Sequence, residues 1–252
     1  PFSLKAVWLE PSSSQATCLM DVKIEVETDC AELCPLFYGL STLTKAEESD
    51  IARLEELCCT CNDAEDYAKL SRPEADPVWA YGEIVAAPFA SLLRTQREEM
   101  SPALRNGSFI DLGSGAGRAV LVVALLCDFS CCRGIEALHS LHGEAKEALR
   151  RCETDVNLFG KMSLVQLECA DLTNVPWWTD AAVAFCNCVT WPESLVAALG
   201  EGGKKMRPGS RLLLVQRQLN EADTANMFCV SKARCDMSWA ADVPIWIYER
   251  QV

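Results

Sequence analysis

The 252 residues carry 36 Asp and Glu against 23 Lys and Arg, for a net charge of -13, and 50% of them are apolar, which suits a packed globular chain and excludes extensive disorder. No run of roughly 18 uncharged apolar residues occurs and no export signal opens the chain, so neither a membrane span nor secretion is expected. The 15 cysteines, several inside apolar segments (Cys127, Cys152, Cys169, Cys186), read as small hydrophobes of a reducing compartment, cytosol or nucleus.

The acidity is uneven: residues 1–77 hold 16 acidic residues against 6 basic ones, and residues 78–252 hold 20 against 17. A basic protein therefore suits the N-terminal surface better than naked nucleic acid. The chain opens at Pro1 rather than at methionine, so a trimmed terminus is expected. "LKAVWLE" and "DVKIEVET" alternate as two short strands, whereas "KAEESDIARLEELCC" and "DAEDYAKLS" read as helices with acids early, where the helix dipole favours them. "RPEADP" then breaks the chain. The expected boundary lies near Pro77, with an acidic mixed α/β domain over 1–77 and a second domain over 78–252.

The second domain alternates regularly. A helix is expected from about Gly82 to Glu99, a strand over Ser108 to Leu112, a helix from Ala116 to Cys127, a strand ending at Glu136 and a helix from His139 to Glu153. Strands follow at "SLVQLEC" and "AAVAFCN", then a helix from Pro192 to Gly200 and the strand "SRLLLVQR". Such alternation predicts a parallel sheet covered on both faces. "MFCVSKARCDMSW" and "PIWIYERQ" have no helix between them and predict a terminal antiparallel hairpin.

The first strand of this domain runs into "FIDLGSGAGRAV". A dinucleotide loop spaces its glycines G-x-G-x-x-G and aims helix amides at a pyrophosphate. Here Gly113, Gly115 and Gly117 are one residue short of that spacing. Asp111 precedes them, where a carboxylate repels pyrophosphate and attracts an ammonium; S-adenosylmethionine has an ammonium and no phosphate. Glu136, at the end of the next strand, suits two ribose hydroxyls. Asp171, after the third strand, suits the adenine amino group beside Leu172. Three acids at successive strand ends are expected to point into one crevice, the donor site of a class I methyltransferase; the alternative is that each acid merely caps the helix that follows its strand.

Further residues carry a family resemblance over about residues 78–252. "YGE" at Tyr81 to Glu83, "DLGSGAG" at 111–117, "GIE" at 134–136, "AD" at 170–171 and "FCN" at 185–187 resemble, in order and spacing, the disruptor-of-telomeric-silencing family of histone lysine methyltransferases, which lack a SET domain. The resemblance implies a Rossmann-like seven-stranded sheet with an antiparallel C-terminal hairpin, nuclear localisation, and transfer of methyl from S-adenosylmethionine to a core-histone lysine on the nucleosome. DNA would then be near without being read in sequence. It makes Tyr81 and Glu83 the loop over the methionyl end. Asp111, Gly113, Ser114, Gly115, Gly117, Arg118, Glu136, Asp171 and Leu172 become donor ligands, and Asn187 the polar residue beside the methyl. The sequence departs from the family at Cys188, where a second Asn is usual, at Arg118 for Gln, at Leu172 for an aromatic, and at Trp246 or Ile247 for a channel Tyr. Two other readings remain: a class I methyltransferase with another protein or small-molecule acceptor, and a catalytically silent module of the same fold.

Methyl transfer asks the protein mainly for in-line positioning in a dry site. A lysine, with its ordinary pKa near about 10.4, must also be neutral to attack, which an apolar channel beside a sulfonium favours. Trp191, Trp246, Tyr248 and Phe185 are candidate channel walls, the alternative for each being an ordinary core aromatic. Asn187 either orients the amine or caps the helix after Pro192. Cys30, Cys34, Cys58 and Cys61 have knuckle-like spacing, but "LEELCCTC" also reads as an apolar helix end, and no metal is expected. His139 and His142, the two histidines, read as a solvated helix start, and "NGS" at Asn106 as a turn.

Overall fold

The computed structural model describes residues 43–58, 82–220, 224 and 226–252. The expected strands at 4–10 and 21–28, the helix at 63–71, Tyr81 and three of the four knuckle cysteines (Cys30, Cys34, Cys61) lie outside them.

Helix α1 (Lys45–Cys58) opens with a reciprocal cap: the Glu47 carboxylate accepts the Thr44 amide at 2.8 Å, and Thr44 Oγ1 accepts the Glu47 amide at 3.3 Å, so two amides that a helix start leaves open are satisfied. Its Ile51 and Leu54 are buried. Helix α2 (Ala86–Glu99) begins four residues later than expected. The preceding stretch is used in pairing: Ile84 bridges Met237, the Glu83 amide donates to Ser238 Oγ at 2.9 Å, and the Ser238 amide donates to the Glu83 carbonyl at 2.8 Å.

A one-turn helix, α3 (Pro102–Arg105), leads into β1 (Ser108–Leu112), α4 (Arg118–Leu126), β2 (Cys131–Glu136), α5 (His139–Thr154), the short α6 (Phe159–Met162), β3 (Val165–Cys169), β4 (Ala181–Cys186), α7 (Glu193–Gly203), β5 (Arg211–Val215), β6 (Met227–Met237) and β7 (Ala240–Arg250). The seven strands form one sheet in the order β3-β2-β1-β4-β5-β7-β6. β1 to β5 are parallel, and β7 enters antiparallel between β5 and β6.

Burial explains this order. β1, β4 and β5 are buried at every position, as central strands covered on both faces must be. β7 is buried without interruption from Ile245 to Tyr248, whereas β6 alternates buried and exposed and takes the edge, where one face meets water. Because successive side chains point to opposite faces, Phe109, Phe185, Leu213 and Ile247 join one apolar cluster with α1, α2 and α4. Ile110, Cys186, Leu214 and Trp246 join the other, around Trp177. Phe89 of α2 is fully buried and meets Phe185 edge-on at 4.7 Å. Among the described residues no helix is long and apolar enough to cross a membrane.

Candidate functional site

A cavity of about 220 Å³ opens at the carboxyl ends of β1, β2 and β4, where ligands of wound α/β sheets bind. Its shape starts with the glycine loop after β1. Gly113, Gly115 and Gly117 all have positive φ, a region costly to side chains. At Gly113, φ is +78° and a Cβ would lie 2.7 Å from the Trp191 ring, so this wall is a backbone surface faced by an indole.

The loop amides are already engaged. Those of Gly113 and Ser114 donate to the Ile135 carbonyl at 2.9 and 3.1 Å, that of Gly117 to the Ser114 carbonyl at 2.8 Å, and that of Gly115 to Glu136 Oε2 at 2.8 Å. A phosphate cradle needs such amides free and pointing outward. This loop instead presents carboxylates. Asp111, 3% exposed, lines the cavity, and burial, with Glu136 adding its charge, pushes its carboxyl up to about 8. A buried carboxylate is costly until a cation meets it, so the donor's ammonium suits this wall.

Glu136 also lines the cavity while Oε1 accepts the Leu138 amide at 2.8 Å. Each carboxylate oxygen has a second lone pair, which leaves capacity for ribose hydroxyls. Asp171 Oδ1 accepts the Thr173 amide and hydroxyl at 2.8 and 2.7 Å, and Asp171 and Leu172 both line the cavity. Leu138 and Leu141 add apolar surface to the same lining. The residues thus fit an adenosyl donor with a free amino-acid end.

The family model of the histone methylation protein DOT1 matches residues 64–234. The chain belongs to the DOT1 histone methylation family. It is a class I methyltransferase in fold: a S-adenosylmethionine-dependent methyltransferase from Clostridium acetobutylicum superposes with a TM-score of 0.51 at 10% identity, covering 77% of this chain and 100% of that one. An RNA methyltransferase from Salinibacter ruber, solved with S-adenosyl-L-homocysteine, is 18% identical with a TM-score of 0.42, over 57% of this chain and 81% of that one. No curated protein sequence matches significantly.

In this DOT1 family member, Asn187 follows β4 and lines the cavity. Its Nδ2 donates to the Gly82 carbonyl at 2.9 Å, and its buried Oδ1 has no partner among the described residues. Cys188 is fully buried, and its Sγ donates to the Val215 carbonyl at 3.8 Å. Arg118 and Glu83 line the cavity as an ion pair at 3.5 Å, and Arg118 also holds Glu55 of α1 at 2.7 Å. Ser114, Phe185 and Trp191 are wall residues too, whereas Gly115 and Gly117 shape the loop without facing the cavity.

Trp246 does not belong to this wall. It lies on β7 opposite Leu214 of β5, is 5% exposed and packs in the Trp177 cluster, with Lys232 Nζ 4.5 Å from its ring centre. Strand alternation sends Tyr248 to that face as well, where its hydroxyl accepts the Leu219 amide at 3.0 Å, and buries Ile247 on the other. The sequence reading missed Ile84, Leu138, Leu141 and Leu195 as wall residues. Leu138 and Leu141, three apart at a helix start directly after Glu136, were the legible signal.

Proposed function

We propose that the chain is a histone lysine N-methyltransferase acting in the nucleus on a core-histone lysine of the nucleosome, with S-adenosylmethionine as donor. The observation that carries this reading is Asn187: one amide arm is tied to Gly82, and the other leaves a buried acceptor at the cavity wall. An acceptor fixed in this way can orient the N–H of an entering amine. Family membership over residues 64–234 supports histone as the source of that amine.

S-adenosylmethionine, when bound, supplies a methyl group activated on a sulfonium. Asp111 would hold its ammonium, Glu136 its ribose hydroxyls, and Leu138, Leu141, Leu172 and Asp171 its adenine. Phe185 and Trp191 keep water from the amine, which favours its neutral, nucleophilic form. Glu55 of α1 would help close the site by holding Arg118.

The test is intact-mass analysis of nucleosomes, free histones and a histone-free cell extract after incubation with the protein and S-adenosylmethionine. A gain of whole methyl groups on a nucleosomal core histone, mapped to lysine, is expected. Methylation confined to non-histone material, or no transfer despite donor binding, would sink the reading.

A further inference from the structure

Cys169 ends β3, and its Sγ lies 3.1 Å from Nδ1 of His139, the first residue of α5. The pair is unused by the function proposed above and does not line the cavity itself, but each member is one residue from its wall, His139 from Leu138 and Cys169 from Ala170. Cys169 is the register partner of Glu136 across the β2–β3 pairing, and paired residues of parallel strands share a face. The next residue, Ala170, lines the cavity and donates its amide to the Glu136 carbonyl at 3.0 Å.

Solvent reaches this thiol. Cys169 is half-buried and His139 exposed, a combination other described cysteines lack. Burial pushes Cys127 and Cys235 up to about 12 and raises Cys131 and Cys132 as well. Cys152, which its hydrogen bond with Cys58 draws down, is fully buried. Cys229 is half-buried and its Sγ donates to the Ser231 carbonyl at 3.7 Å, an oxygen that accepts a hydrogen bond but is too weak a base to deprotonate a thiol. A nucleophilic thiol needs both access and a neighbouring group able to take its proton; Cys169 is half-buried, and an imidazole nitrogen lies 3.1 Å from its sulfur, an acceptor in the tautomer that carries its hydrogen on Nε2.

We propose that Cys169 and His139 form a reactive thiol–imidazole pair at the adenosyl end of the cleft, a site of oxidation by hydroperoxides that closes this end to the donor. The thiol proton passes to His139 Nδ1, and the sulfur attacks the nearer peroxide oxygen. The S–O bond forms as the O–O bond breaks, and the departing hydroxide, or alkoxide where the hydroperoxide is organic, takes the proton from the imidazole and leaves as water or alcohol. Sulfur is oxidised by two electrons to sulfenic acid, and the peroxide is reduced. The added oxygen enlarges the register partner of Glu136, next to the edge where the ribose would sit. Closure of the cleft rests on the donor reading above; the reactivity does not.

The experiment treats the full chain with limiting hydrogen peroxide and the sulfenic-acid trap dimedone, and maps the adducts by peptide mass spectrometry. Cys169 is expected to label about tenfold faster than Cys229, more slowly in His139→Gln, and hardly at all with S-adenosylhomocysteine present. Calorimetry should show the oxidised chain losing affinity for S-adenosylhomocysteine, and Cys169→Ser keeping it under the same treatment. Labelling of Cys169 no faster than of Cys229, or undiminished affinity after oxidation, overturns the proposal. Failure of the untreated chain to bind S-adenosylhomocysteine sinks the donor reading and the closure, while the labelling rates still judge the pair.

Discussion

Asp111 and Glu136 stand at the ends of neighbouring parallel strands, and the charge of Glu136 adds to the burial that pushes the Asp111 carboxyl from its ordinary 3.8 up to about 8. The folded chain thus binds this proton more tightly than the unfolded one. The stability this contributes is full below about pH 4 and is lost as pH rises through about 8. Asp111→Asn should therefore be more thermostable than the parent at pH 8, by roughly 1–3 kcal/mol, with the gap closing toward pH 4. Donor-induced stabilisation should disappear in the same variant. Melting curves at both pH values, with and without S-adenosylhomocysteine, check this; a variant less stable at pH 8 would refute it.

Glu136 accepts two backbone amides, from Gly115 and Leu138, both at 2.8 Å. Glu136→Gln keeps the shape but loses the charge and one acceptor, so a charge-assisted bond worth about 1.5–3 kcal/mol goes. Donor affinity should fall by roughly tenfold to a hundredfold, measured by calorimetry, and amide exchange in the 113–117 loop should quicken. Unchanged exchange there would mean that Glu136 does not hold the loop.

Arg118 ties α1 to the cleft through Glu55 and meets Glu83 on the other side. Both links are partly exposed, so Arg118→Gln should cost only about 1 kcal/mol of global stability. The local effect should be larger: hydrogen exchange across Lys45–Cys58 is expected to rise while exchange in β4 and β5 stays constant. Equal protection of α1 in parent and variant would count against this link.

Asn187→Ala removes the buried acceptor and the bond to Gly82. Turnover should drop about a hundredfold, the lower end for a positioned polar group, while S-adenosylhomocysteine affinity stays near the parent value. Parallel losses in both would move Asn187 from the acceptor side to the donor side of the site.

The legible part of the site lay in short-range patterns. Asp111, Glu136 and Asp171 each follow or end an apolar strand, and all three line one cavity, because parallel strands bring their carboxyl ends to one edge. Gly82 to Val85 read as helix and is not: its partners at Met237 and Ser238 lie about 150 residues away, and their pairing outweighs local propensity. Trp246 read as a channel wall, but its face depends on which hairpin strand meets β5 and in what register, and a slip of one residue would reverse it.

By itself the sequence determined the alternation of strands and helices, the glycine turn, and the placing of carboxylates where a phosphate loop would keep amides, since each is a matter of neighbouring residues and backbone period. Only the tertiary structure decided that β7 inserts beside β5, that Asn187 meets Gly82, that Glu55 reaches Arg118 and that Cys169 meets His139. Those contacts join residues far apart in the chain, and long-range packing and register, which no local pattern encodes, select them.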